Sequence, residues 1–219
     1  IYGCGLFINE ELFRSTFCIE IRTLNLLEKT GLIYSQNGSW HPHQILNDLV
    51  EAEQLEIDSH STLSYWRHQF QELPHQFESA LNLVLTIKCF GYEETFEKPL
   101  YEAFQVLYSH GLQGLNGLEE GVDIYLTLPS MTKSSLFLAE LLLEYEAFDR
   151  VKALLKKTAP SEEIKHEAFI LYCHLLWSTG HFTECIDSLT HLIPTLSLPS
   201  EKLYCYLHRG ISHFFLGHW

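Results

Sequence analysis

The stretch Ala168-Phe169-Ile170-Leu171-Tyr172-Cys173-His174-Leu175-Leu176-Trp177-Ser178-Thr179-Gly180-His181-Phe182-Thr183-Glu184-Cys185 decides the fold. Its apolar residues keep helical spacing up to Trp177, break at Gly180 and resume at Phe182, so it reads as two helices joined by a tight turn. The same register recurs on either side. Phe148, Phe182 and Trp219 lie 34 and 37 residues apart, and the small residues Ala139, Cys173 and Gly210 repeat at the same two intervals. Each small residue stands nine positions before its aromatic. Gly180 and Gly217 stand two positions before theirs, while the first copy has Glu146 at that place. Set against a generic helical bundle, a period of this length predicts stacked helical hairpins from Ser130 onward. The physical need is close packing. A small side chain lets the first helix approach the second, and the aromatic with Val151 and Leu155, or with Cys185 and Leu189, fills the space between them. The unit from Ala168 to Pro194 is complete, the one before it is degenerate and the one after it truncated, with three extra residues falling around Ser197 to Pro199.

This pattern resembles tetratricopeptide-like repeats, in which a small residue sits midway along the first helix of a pair and an aromatic opens the second. The resemblance implies a concave face able to hold a peptide, with Tyr172, His174 and Tyr206 as candidate positions on it.

Upstream, Leu6, Ile8, Leu12, Phe13, Phe17, Ile21, Leu24 and Leu27 suit two short amphipathic helices stopped by Gly31. Between Leu32-Ile33-Tyr34 and Trp40, Asn37-Gly38 supplies the residues of a two-residue hairpin turn. Helical spacing returns over 45–55, 62–70, 74–89 and 96–107, with Pro74 expected in the first turn of its helix. Gly111, Gly114 and Gly117 then interrupt it, and the alternation of Val122, Ile124, Leu126 and Leu128 predicts a strand ending at Pro129. The fold class is therefore mainly α with a small β-hairpin.

Charge and missing motifs exclude several functions. Fourteen Lys and Arg face 28 Asp and Glu, a net charge of −14, which repels a phosphate backbone or an anionic membrane. Over 41–130 the imbalance is three against fourteen, so nucleic acid is no partner. No apolar run reaches the roughly 18 residues of a membrane span and no signal peptide opens the chain, which points to the cytoplasm. The chain begins without Met and stops at Trp219 in a helical pattern, as a piece of a longer protein would. Cys4, Cys18, Cys89, Cys173, Cys185 and Cys205 include no Cys-x-x-Cys pair and read as buried reduced thiols rather than disulfides or ligands. No lysine follows a glycine, so a phosphate-cradling loop is missing, and so are the hydrolase elbow, His-Glu-x-x-His and kinase motifs. No catalytic, cofactor-binding or metal site is assigned. His41-Pro42-His43, with His60 or His68, has the nearest thing to ligand spacing, but no accompanying cysteine or carboxylate cluster. The paired carboxylates Glu119-Glu120 and Glu162-Glu163, and His166-Glu167 at a helix start, are read as solvated structural pairs.

Several segments, taken together, resemble a known arrangement. Gly3-Cys4-Gly5-Leu6-Phe7-Ile8, then Gly31-Leu32-Ile33-Tyr34 with Gly38-Ser39-Trp40, then Leu73-Pro74-His75-Gln76-Phe77-Glu78-Ser79-Ala80-Leu81 and Val84-Leu85-Thr86-Ile87-Lys88 follow one another in that order. Gly180-His181-Phe182-Thr183-Glu184-Cys185 comes after them. Order and approximate spacing are similar to those of the STAND-type AAA ATPase module of large hybrid sensor histidine kinase and serine-threonine kinase signalling proteins. Cys4-Gly5 replaces that family's Asn-Pro, and Pro129-Ser130 stands where its Phe-x-His-Asp segment would follow. The resemblance implies that residues 1–40 are the end of the ATPase lid, 41–130 a winged-helix-like regulatory domain and 131–219 the start of a repeat arm. The implied function is a non-catalytic regulatory or scaffold segment relaying the nucleotide state of an upstream domain, where ATP and Mg²⁺ would bind, to a kinase output in a phosphorelay. The implied partners are neighbouring domains of the parent chain. An adaptor whose repeats bind a protein or peptide is the alternative.

Overall fold

The computed structural model describes residues 8–9, 21–36, 39–42, 59–157, 159–160 and 164–217. They are mainly helical, and the chain divides into two units, Ile1–Ile124 and Tyr125–Trp219.

The first unit opens with a three-stranded antiparallel sheet of β1 (Ile8–Asn9), β2 (Ile33–Gln36) and β3 (Ser39–Pro42), in the order β1-β3-β2. The predicted hairpin is present. Ile33 pairs with Pro42 and Gln36 with Ser39, which leaves Asn37 and Gly38 between the strands and outside the described residues. Helical spacing misread Ile8 and Asn9, whose backbone instead pairs with Trp40 and Ser39 on the edge of β3 that β2 leaves open. Helix α1 (Ile21–Lys29) ends as expected at Gly31, where φ is 73°. There the Leu32 N–H donates to the Leu27 carbonyl at 3.0 Å, the left-handed closure that glycine adopts without a Cβ penalty. The helix predicted over 45–55 lies outside the described residues.

Four helices complete this unit: α2 (Ser59–Glu72), α3 (Phe77–Phe90), α4 (Glu97–Ser109) and α5 (Leu112–Tyr125), the last running one residue past its boundary. In α2 the residues Thr62, Trp66, Gln69 and Phe70 are buried at the spacing of one helix face. Helix α3 packs on both α2 and α4 through Leu83, Val84 and Ile87, all fully buried. Pro74 sits in the turn before α3 rather than in its first turn. Its ring disfavours the helical conformation at Leu73, so α2 stops at Glu72, and the extended Gln76 caps α3 instead.

The largest departure concerns α5. Residues predicted as a strand from Val122 form its last turn and the turn after it, because Leu118, Val122 and Tyr125 bury one helical stripe at i, i+4 and i+7. Gly114 and Gly117 do not interrupt the helix either. A Cβ on Gly114 would lie 1.8 Å from the Leu107 carbonyl oxygen, and one on Gly117 would lie 2.9 Å from a Leu107 methyl and 3.0 Å from Leu81. The glycines are the surface that lets α5 touch α4 and α3. Only Gly111, at φ 61°, makes a turn. The range 41–130, expected to be winged-helix-like, thus carries helices α2–α5, and the sheet is built from residues 8–42, within or next to the range read as lid helices.

The second unit contains α6 (Lys133–Glu144), α7 (Phe148–Lys157), α8 (Lys165–Ser178), α9 (Phe182–Leu192) and α10 (Pro199–Phe215). A two-residue parallel pairing joins β4 (Ser130–Met131) to β5 (Ala159–Pro160). Thr132 starts α6 with a reciprocal cap: its Oγ1 accepts from the Ser135 N–H at 3.2 Å and its N–H donates to Ser135 Oγ at 2.8 Å. Consecutive helices pack in sequence, α6 on α7, α8 on α9 and α9 on α10. Phe148 and Phe182 open the second helix of each hairpin, and Pro199 opens α10.

Within that register Ala139 and Cys173 are buried, as are Val151, Cys185 and Leu189, while Leu155 is half-buried. Gly210 differs. It is exposed, and a Cβ there would meet nothing within 4 Å. Phe182 is half-buried rather than a buried filler, because its ring stacks on Phe215 of α10 at 5.0 Å and 8°. Trp219 lies outside the described residues. Cys173, Cys185 and Cys205 are buried free thiols, whereas Cys89 is exposed, and Cys4 and Cys18 are outside the described residues. Among the described residues no helix is long and apolar enough to cross a membrane.

Candidate functional site

The first helices of successive hairpins, α6, α8 and α10, line a groove of about 480 Å³ in the second unit. Helix α6 contributes Glu140 and Glu144, one turn apart on one face, and α8 contributes Glu167, Ile170 and His174, which also share a face. Tyr204 of α10 closes the far side. The repeat explains the placement. Glu140 and His174 each follow the small residue of their helix by one position, and Glu167 and Tyr204 each precede it by six, so equivalent positions converge on one surface.

Charge gives the groove its character. Partial burial, then the neighbouring charges of Glu144 and Glu167, push the Glu140 carboxyl above the ordinary range. Glu140, Glu144 and Glu167 thus line one groove, and no Lys or Arg stands among the described residues that line it. Burial lowers His174, against an opposing pull from Glu144, and lowers His208, with His174 adding to the effect. The two imidazoles lie 5.9 Å apart, and His208 packs 4.1 Å from the Tyr204 ring and edge-on to Trp177 at 5.6 Å. Trp177 Nε1 and His208 Nδ1 are shielded from solvent without a hydrogen-bond partner among the described residues. Such groups carry the cost of desolvation until something binds them.

Of the positions read from sequence for a concave face, only His174 lines this groove. Tyr172 turns towards α9, where its hydroxyl donates to Glu184 Oε1 at 2.6 Å, and that bond, then burial, pushes it up to about 12. Tyr206 is half-exposed on α10 with the Arg209 guanidinium 5.2 Å from its ring centre. The Glu140, Glu144 and Glu167 wall was missed, although the register that located Ala139 and Cys173 also locates Glu140 and His174.

The remaining candidates are structural. Burial, then the neighbouring Cys185 and Cys205, pushes the Cys173 thiol up to about 12, and burial raises Cys185 and Cys205. A protonated thiol is a poor nucleophile and a poor ligand. The Cys185 thiol donates to the Cys173 carbonyl at 3.4 Å and ties α9 to α8. Among the described residues no group of three or more His, Cys, Asp or Glu is placed to hold a metal; His60 and His68 are exposed on α2, and His43 is outside the described residues. Glu120 pairs with Lys88, which also holds Asp123 at 2.6 Å, while Glu162 and Glu163 are outside the described residues. Compared with protein-family models, curated proteins and solved structures, the chain matches none.

Proposed function

We propose that this chain is a non-catalytic regulatory and scaffold segment that acts by holding a protein segment on its repeat arm. One observation carries the reading: the groove across α6, α8 and α10, built from equivalent repeat positions and walled by Glu140, Glu144 and Glu167. Its occupant is an extended or helical stretch of protein bearing Lys or Arg. A cationic side chain would relieve the crowding of three carboxylates, and its flanking main chain would find the aromatic and imidazole end of the groove. The hairpins of the second unit support the tetratricopeptide-like interpretation, and the winged-helix-like regulatory role is kept for the range 41–130, which carries helices α2–α5. In this proposal the segment sits in a cytoplasmic ATP-dependent signalling protein. An upstream domain binds ATP and Mg²⁺, and the arm carries the resulting movement to a kinase output by engaging or releasing its basic segment. The groove also suits a plain adaptor, but that reading leaves the first unit without a task.

Fluorescence anisotropy with two degenerate labelled nonapeptide pools, one with a fixed central Arg and one with a fixed central Glu, tests the occupant. A charge-assisted contact contributes about 1.5–3 kcal/mol, so the Arg pool should bind at least about tenfold tighter at low salt. The preference should vanish in the combined Glu140→Gln, Glu144→Gln, Glu167→Gln variant. Equal binding of both pools, or a preference untouched by the variant, overturns the proposal.

A further inference from the structure

Helix α10 has three sides with different surroundings. One is buried, where Cys205 and Ser212 meet Cys185 of α9. A second, through Tyr204, closes the acidic groove. The third carries Leu203, Tyr206, Leu207 and Gly210, which fall within a sector of roughly 100° on an α-helix. Gly210 is exposed, and the three side chains are exposed by 70%, 50% and 58% in that order. Glu201, Lys202 and Arg209 all fall outside this sector, so nothing charged would have to be dehydrated to cover it. Phe214 continues it by one turn, with its ring edge-on to Phe215 at 5.8 Å and 56% of its surface exposed.

The spacing of this stripe is the same read in either direction. Leu203, Leu207, Gly210 and Phe214 follow one another by four, three and four residues. A second α10 laid antiparallel about a twofold axis between residues 208 and 209 therefore sets stripe against stripe: Leu207 of each copy faces Gly210 of the other, and Leu203 faces Phe214. Size agrees with place. A Cβ at Gly210 would meet nothing within 4 Å among the described residues, although a glycine inside a helix costs about 1 kcal/mol relative to alanine. Against a second helix at about 8–10 Å between axes, it becomes the hole that receives Leu207.

The area sets the strength. With about half of the 150–250 Å² of a large side chain exposed at each, Leu203, Tyr206, Leu207 and Phe214 offer roughly 300–500 Å² per copy. Two copies would cover roughly 600–1,000 Å², less than a permanent dimer buries and within the range of weak, reversible association. Charge allows the approach, because α10 belongs to the unit with eight Lys and Arg against ten Asp and Glu rather than to the strongly acidic one.

We propose that this face of α10 is a self-association surface, on which two copies of the chain form a reversible antiparallel dimer with Leu207 of each seated at Gly210 of the other. The proposal goes beyond the groove reading and does not depend on it, since the groove uses a different side of the helix.

Sedimentation equilibrium of the 219-residue chain tests it. From about 5 to about 300 μM, a span suited to an interface of this area, the chain should pass from monomer to dimer. Leu207→Glu should weaken the dimer at least about tenfold. Gly210→Leu, which sets leucine against leucine, and Leu207→Ala, which leaves the hole unfilled, should each do the same. Combined, they should return the association to within about threefold of the parent, because the large and the small residue have only exchanged sides. Circular dichroism of every variant should match that of the parent, as both positions are exposed. A chain that stays monomeric throughout overturns the proposal and leaves the face to a different partner. So does a dimer that Leu207→Glu does not weaken, or a combined variant no better than Gly210→Leu alone. The preference for the Arg peptide pool should be the same in Leu207→Glu as in the parent, so its absence from both would count against the groove reading and not against the dimer.

Discussion

Glu146 occupies a backbone position that suits glycine. Its φ is 58°, and the surrounding bonds match those at the end of α8: Ala147 N–H donates to the Leu142 carbonyl at 3.0 Å, as His181 N–H donates to the Leu176 carbonyl at 2.8 Å. Both are left-handed helix closures, but the second has Gly180, at φ 77°. A residue with a Cβ is strained there by contact with its own backbone, and the strain is tolerated because α6 and α7 are packed on either side. Glu146→Gly should therefore stabilise the chain by about 0.5–1 kcal/mol, the strain relieved exceeding the entropy glycine adds to the unfolded chain. Urea denaturation checks it, and a lower midpoint would mean that the Glu146 side chain contributes more than its backbone costs. The same position explains the degenerate copy in the sequence: the turn survives without its glycine because packing, rather than local preference, fixes it.

Helix α5 is the element where local reading and packing part. Alternating Val122, Ile124 and Leu126 satisfied a strand template over a few residues, and Gly111, Gly114 and Gly117 before them suggested a loop. Two of those glycines are packing residues, which no local pattern can reveal, because what they make room for is Leu107 on another helix. Gly114→Ala places a methyl 1.8 Å from a backbone oxygen, which cannot swing aside as a side chain can. Separating α4 from α5 should cost about 1–3 kcal/mol, more than the roughly 1 kcal/mol that alanine gains in helix propensity. Thermal or urea unfolding should show net destabilisation, and a stabilised variant would place α5 away from α4. By contrast the hairpin at 33–42 was legible because its turn residues and its flanking β-formers are local to one another. The α8–α9 pair was legible because one register repeats. The groove was half legible for the same reason: the register carries Glu140 and His174 to one wall, but which side of each helix faces the groove depends on how α6, α8 and α10 pack.

The charge of −14 is unevenly divided between the two units. The first unit holds six Lys and Arg against eighteen Asp and Glu, and the second holds eight against ten. Self-repulsion is thus a property of one unit and nearly absent from the other. Lys88 is the visible countermeasure, bridging Glu120 and Asp123 between α3 and α5, and the hydrogen bonds it donates to Asp123 and then Glu120 hold its amine above the ordinary value. Salt acts on both effects in opposite directions. It weakens the bridge, which at a partly exposed site contributes about 0–1 kcal/mol, and it screens the repulsion among many more acidic groups as the Debye length falls from about 30 Å at 0.01 M to about 3 Å at 1 M. The screening should win. Raising sodium chloride from about 0.02 M to about 0.5 M, where these lengths differ severalfold, should slow hydrogen exchange in α3 and α4 severalfold and leave α8 and α9 within about twofold. Measured on the intact chain by mass spectrometry, equal responses in the two units would show that the excess acidic groups of the first are too far apart to repel one another. Faster exchange in α3 at high salt would show that the Lys88 bridge outweighs them, and Lys88→Met, which leaves only the repulsion, would then reverse the response to slower exchange at high salt.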